Sequence, residues 1–321
     1  EEDKHTVLDK HQSICRMVVN KYKEVQNRNQ IEIITSAFYH PILPLLCDTD
    51  AAKKSLPHFQ PKLRFNHPED AEVQIKRAVE YYQSLFGKSP VGFWPPEGSV
   101  SEQIIPLLQR HGIKWIATDE EILFRSFTSV QSGSRVPLYV PYRFQNNDGA
   151  VNMIFRDNNL SDLIGFGYHK WNPQEAVHNF TYRLEQIRQQ VAHVIEEPLV
   201  TILLDGENCW EYYPNDGTDF LNCLYKSLSE NNNFRMVTVN EFLEQNPPKR
   251  TLHQLWPGSW INANFAIWFA HPEDQSGWEY LNHTREALVH RERMSEFPID
   301  KQKLDLAWES IYIAEGSDWY W

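Results

Sequence analysis

The sequence predicts an α/β fold in which parallel strands are covered by helices, with a helical region behind it. Three observations predict this. Short apolar runs alternate with amphipathic stretches through the first 247 of 321 residues, and acidic or polar side chains recur where those runs end. Strand signals then fade beyond Pro247-Pro248-Lys249-Arg250, a plausible boundary.

Thr6 to Asn27 opens the chain with Val7, Ile14, Val18, Val19, Tyr22 and Val25 at near-helical spacing. Ile31-Glu32-Ile33-Ile34-Thr35 reads as a short strand that leads into a polar, aromatic turn, Ser36 to Pro44. His67-Pro68-Glu69-Asp70 starts a helix with Val73, Ile75, Val79, Tyr82 and Leu85 on one face, and Gly87 stops it. Val91 to Glu97 is a strand broken by Pro95 and Pro96; Ser101 opens a helix that ends at His111-Gly112. Ile113 to Asp119, Val151 to Phe155 and Leu199 to Asp205 complete the strands, while Trp278 to Arg293 and Asp300 to Ala314 read as helices.

Composition narrows the function. Hydrophobic residues make up 41% of the chain and charged residues 23%, as in a protein with a real core. The net charge of -12, with no Lys/Arg stripe, argues against nucleic acid as a partner. No apolar run reaches the length of a membrane span, so no membrane partner is expected. Cys15, Cys47, Cys209 and Cys223 form no C-x-x-C pair, so reduced thiols and a cytoplasmic location are expected. Eleven Trp residues are a surplus, and flat aromatic rings suit the apolar C–H faces of sugars. For any single Trp, core filling is the more common role. The chain begins without Met and stops at Asp318-Trp319-Tyr320-Trp321, which reads as a fragment.

Breaking a glycosidic bond needs two carboxyl groups, one attacking the sugar or activating water and the other protonating the leaving oxygen. Glu97 and Asp205 fit those roles by position at strand ends. The two prolines before Glu97 restrict its backbone, as suits a nucleophile, and Trp94 is placed to stack on a sugar. An acid before a helix also complements the helix dipole, which is the competing explanation of Glu97. Asp205 opens Asp205-Gly206-Glu207-Asn208-Cys209-Trp210-Glu211-Tyr212-Tyr213, a poor core segment and a good sugar cleft, in which Glu207 and Trp210 are candidate contacts. Arg156-Asp157 forms either a structural ion pair or a sugar-hydroxyl site, with Asp157 the candidate lining residue.

Glu32 to Pro44, Gly92-Phe93-Trp94-Pro95-Pro96-Glu97 and Leu204-Asp205-Gly206-Glu207-Asn208 resemble, in order, the second, third and fourth sequence motifs of glycoside hydrolase family 57. The resemblance implies an incomplete seven-stranded (β/α) barrel over 1–247, followed by a C-terminal helical domain over 248–321. It implies retaining chemistry on α-glucans with no cofactor and no metal. The family's nucleophile falls on Glu97, its acid/base on Asp205, and a subsite residue on His40. Without the resemblance, His40 in its turn reads as a structural residue. Trp256-Pro257-Gly258-Ser259-Trp260 is similar to the segment that lends an aromatic to the cleft, which makes Trp256 and Trp260 candidates. The family's first motif has no counterpart and is expected upstream of Glu1.

Two other classes compete. A metal-dependent deacetylase or α-mannosidase needs converging ligands, and His40, His169 and Asp205 lack a spacing that would gather them. A non-catalytic α-glucan-binding protein would keep the fold without turnover.

Overall fold

The computed structural model describes residues 2–127, 133–294 and 300–321. Five strands form one mixed sheet: β1 (Gly92–Phe93), β2 (Trp115–Asp119), β3 (Tyr142–Gln145), β4 (Ala150–Arg156) and β5 (Arg250–Leu252). Their spatial order is β1-β2-β4-β3-β5. β1, β2 and β4 run parallel, as the alternation of apolar runs and helices predicts. The Ile31–Thr35 run lies beside β1, bridged to it in parallel through Thr35 and Phe93. Leu199–Asp205 is extended beside β4, with the Asp157 amide donating to Thr201 at 2.9 Å, but it forms no regular ladder among the described residues.

The two faces of the sheet are separated by period-two alternation. In β2, Trp115 and Ala117 join one cluster with Ile154, while Ile116 joins Met153 and Phe155 in the main core on the other side. Helix Pro68–Phe86 covers that core with Ala71, Ile75, Ala78, Val79 and Tyr82 buried at helical spacing. Gly87 ends it in the left-handed conformation at φ 73°.

Two strands were not expected. β3 pairs antiparallel with β4 through a turn in which Asn146 Oδ1 accepts from the amides of Asp148 and Gly149 at 2.9 and 3.0 Å. β5 adds parallel to β3, so the stretch just beyond Pro248 joins the sheet before the helical part begins.

Helices Pro272–Met294 and Lys301–Ala314 follow; the first starts well ahead of its expected Trp278, and the second keeps its expected bounds to within one residue. They pack on the Pro68–Phe86 helix through a buried ion cluster: Arg285, 4% exposed, pairs with Asp70 and with Glu69, the latter at 2.7 Å. Beside it, Gln74 Nε2 donates to Glu315 at 2.7 Å, and burial raises the Glu315 carboxyl well above its usual range. The first helix, Glu2–Asn27, lies largely in solvent with Val7, Ile14 and Val18 exposed. Among the described residues no helix is long and apolar enough to cross a membrane.

Candidate active site

Glu97 follows β1 in a single tight turn, Pro96–Gly98. Pro95 brings the chain in extended, Pro96 begins the turn, and Glu97 then takes φ 58°, ψ 24°, a left-handed conformation that costs a residue with a Cβ about 1–3 kcal/mol. Gly98 is left-handed too, at φ 59°, and a Cβ there would lie 2.9 Å from the Trp94 ring. The strain is held by surrounding main chain. Gly98 and Ser99 donate to Pro95 and Pro96 at 2.8 and 2.9 Å, and Thr118 Oγ1 donates to the Gly98 carbonyl at 2.6 Å.

The Trp256-to-Trp260 segment is zipped onto this loop. Val100 and Gly258 exchange main-chain hydrogen bonds at 2.8 and 3.1 Å, and the Trp260 amide donates to the Glu97 carbonyl at 3.0 Å. The Trp260 indole Nε1 then donates to Glu97 Oε2 at 2.8 Å. Trp94 meets Trp260 edge to face, with centroids 5.2 Å apart. Glu97, Trp94 and Trp260 therefore form one half-buried group, assembled from residues 163 positions apart.

Asp205 ends the extended segment and precedes helix Gly206–Glu211 as its N-cap, with its carbonyl accepting from Cys209 Sγ at 3.2 Å. Two residues earlier, Leu203 is gripped on both sides: its amide donates to Ser161 Oγ at 3.2 Å and its carbonyl accepts from Arg156 Nε at 2.9 Å. Arg156 also spreads its guanidinium beneath Trp260, 5.4 Å from the ring centroid.

The remaining candidates part company. Asp157 is 1% exposed: it caps helix Asn158–Asp162, accepts from Tyr139 at 3.0 Å and pairs with Arg135 at 3.0 Å. A carboxylate so buried and so engaged supports the strand end, while Arg156, its neighbour in sequence, meets Leu203 and Trp260. Trp256 has different neighbours from Trp260: Lys54 and Arg125 flank its ring at 5.3 and 5.5 Å, and its Nε1 donates to Ala263 at 2.8 Å. Trp210 packs on Tyr213 and over Gly217, within a second core cluster. His40 takes φ 56° in its turn and its Nδ1 lies 2.8 Å from Ser317 Oγ, which ties it to the end of the helical region. Glu207 is in the first turn of its helix, and its side chain lies outside the described residues.

Asp119, in register with Arg156 across β2 and β4, was not singled out for a role by its sequence context. It is 1% exposed, and burial pushes its carboxyl up to about 6. Oδ1 accepts from Glu121 and Asn158, but Oδ2 has no hydrogen-bond partner among the described residues. Arg156 approaches Oδ2 only to 3.8 Å, an electrostatic contact rather than a hydrogen bond.

A cavity of about 840 Å³ opens on the Trp115 face of the sheet, walled by Ile34, Ala117, Ile154 and Leu203, with Trp94 and Trp260 at its edge. Its lining is mostly apolar, and neither carboxylate lines it among the described residues. No group of three or more His, Cys, Asp or Glu able to hold a metal ion occurs among the described residues.

An α/β frame with carboxylates and aromatic rings at the ends of its parallel strands is one on which many hydrolases are built. The chain belongs to glycosyl hydrolase family 57, whose family model matches residues 5–254. Over 104 residues it is 27% identical to alpha-amylase 1 of Dictyoglomus thermophilum, covering 32% of this chain and 12% of that protein. Over 91 residues it is 31% identical to a 1,4-alpha-glucan branching enzyme of Thermococcus kodakarensis, covering 28% and 11%. The fold is similar to the crystal structure of a branching enzyme of this family from Pyrococcus horikoshii, with a TM-score of 0.76, 19% identity, and coverage of 98% of this chain and 64% of that one. That likeness establishes the incomplete barrel with a helical region behind it. The chain thus spans 64% of that solved relative and matches 12% and 11% of the two curated ones.

Proposed function

We propose that this chain carries the catalytic centre of a retaining enzyme acting on α-glucans, with Glu97 as nucleophile and Asp205 as general acid/base. The observation that carries the reading is the construction around Glu97: a strained, main-chain-locked turn whose carboxylate is held by an indole N–H from a distant segment. A surface acid that merely complements a helix dipole needs neither the strain nor the distant donor. The relatives named for amylase and branching activity act on the same substrate class, which supports α-glucan as the substrate here.

In the first step a Glu97 oxygen attacks the anomeric carbon as the glycosidic C–O bond breaks, and the Asp205 proton passes to the departing oxygen. In the second, Asp205 takes a proton from water or an acceptor sugar hydroxyl. The resulting oxygen attacks the anomeric carbon and releases Glu97. The Trp260 N–H restrains Oε2, so the carboxylate meets the sugar in one orientation, and Trp94 and Trp260 offer ring surface to the substrate. Of the other candidate contacts, we retain His40, Glu207, Trp210 and Trp256 as residues to test at outer subsites. We divide the chain into a barrel over 1–247 and a helical domain over 248–321, with β5 attaching the second to the first, and we place the protein in the cytoplasm.

Glu97→Gln tests the reading in the full-length protein. Maltooligosaccharide binding should persist while turnover falls by on the order of 10⁴-fold or more. A wild-type protein that binds the sugar without turning it over would identify a non-catalytic glucan-binding protein instead.

A further inference from the structure

We propose that Arg156 is a positioning residue that sets both carboxylates at once, gripping the Asp205 strand through Leu203 and backing the indole that holds Glu97. The inference rests on the α-glucan reading above and concerns a residue whose contacts run to Leu203 and Trp260.

Arg156 is the last residue of β4 and is 7% exposed. Each part of its guanidinium has a separate task. Nε donates to the Leu203 carbonyl at 2.9 Å, two residues before Asp205, and this bond fixes the height at which the extended segment leaves the sheet. The flat face lies 5.4 Å from the centre of the Trp260 ring, and the Trp260 Nε1 donates to Glu97 Oε2 at 2.8 Å. Nη1 donates to Asn158 Oδ1 at 2.7 Å and Nη2 to Asp162, which aim the fork. The Asp119 carboxylate, 3.8 Å away across the β2–β4 register, supplies opposite charge without taking up a hydrogen-bonding direction.

Only arginine offers a directed Nε donor and a planar cationic face from one side chain; lysine offers a point charge with neither. The structural cost of an arginine this deep is met by Asp119 and Asp162. A purely structural ion pair would need the two acids alone. The bond to Leu203 and the stacked Trp260 are what tie it to the reacting groups. A retaining mechanism depends on the gap between its two carboxyl groups, and here one side chain bonds to the segment that ends at Asp205 and backs the indole that holds Glu97.

The test uses the full-length protein on maltooligosaccharide, with kcat and KM measured separately. Arg156→Lys keeps the charge and the stem and should fold. Its kcat should fall about 100-fold, the usual effect of a displacement near 1 Å, with KM within about threefold of wild type. Arg156→Ala should regain at least about tenfold in kcat with tens of millimolar guanidinium, and nothing with sodium chloride at the same ionic strength. Combined with Trp260→Phe, Arg156→Lys should lose less than the product of the two single effects, because both act on one contact. Arg156→Lys within about threefold of wild type in kcat, a loss confined to KM, or strict additivity with Trp260→Phe would each overturn the proposal. If wild type itself turns over no α-glucan, the functional reading fails and not this inference alone.

Discussion

Glu97 sits in a loop whose own main chain is locked from several directions, whereas Asp205 ends a segment whose nearest anchors are side chains. Around Glu97 the bonds run from Trp94 to Thr35 at 2.9 Å, from Gly98 to Pro95 at 2.8 Å, and from Trp260 to the Glu97 carbonyl at 3.0 Å. In the segment that leads to Asp205, the described main-chain bonds to neighbouring elements are those of Leu199 with Tyr139 and Asp157 with Thr201, and Leu203 is held by the side chains of Ser161 and Arg156. On the proposed roles, the contrast follows from what each group must do. A nucleophile forms a bond at one point in space and gains from a backbone that cannot relax. An acid that later serves as a base must give and then recover a proton, which a segment held by fewer, replaceable contacts permits.

The largest effect that would break this comparison is at Gly98. Gly98→Ala places a Cβ against the Trp94 ring on a backbone at φ 59°, so the turn must shift. Activity should fall by about 100-fold or more while the protein stays folded, since the loss is one of placement. A Gly98→Ala protein with unimpaired kcat would show that the turn is not what fixes Glu97.

The next effect concerns Asp119, which faces Arg156 where the two segments approach. Its carboxyl is held at about 6 in the folded protein against 3.8 when exposed. An acid raised by folding contributes stability that is complete below the unfolded value and disappears as pH rises through the folded one. The contribution of Asp119 to stability should therefore decline between pH 4 and about 6.5. Asp119→Asn should flatten that decline and add about 2 kcal/mol at pH 7, with the gain vanishing near pH 4. Melting curves across that range decide the matter. Equal slopes for the two proteins would mean that Asp119 is not titrating there.

The smallest effect is at Ser161, which is fully buried. Ser161→Ala removes the partner of the Leu203 amide and should cost about 1 kcal/mol, with a drop in kcat well below that of Gly98→Ala. Hydrogen exchange sharpens the same contrast: amides of residues 199–204 should exchange faster than those of residues 93–100.

Much of this arrangement was legible in the sequence. Gly87 marks the end of its helix, the apolar runs at Ile113 and Val151 became β2 and β4, and two prolines marked the Glu97 turn. What could not be read was contact across long separations. Nothing local to Trp260 says that its indole meets Glu97 while that of Trp256 meets Ala263. The exchange of Asp157 for Arg156 has a similar cause. Both lie at the end of β4, but Asp157 already begins the next helix as its cap, and only the fold decides which one is aimed at the site. The β3 hairpin did carry a signal, Tyr142-Arg143-Phe144-Gln145 alternating ahead of Asp148-Gly149, and its short length hid it among loop residues.

The central claim, that Glu97 is the nucleophile, is tested most directly by trapping. Full-length enzyme incubated with a fluorinated α-glucosyl donor, which forms the glycosyl-enzyme quickly and releases it slowly, is digested and its peptides are weighed. The account predicts one sugar ester on the peptide carrying Pro95-Pro96-Glu97. A label on another carboxylate, or turnover that inverts the anomeric centre with no label at all, would contradict it.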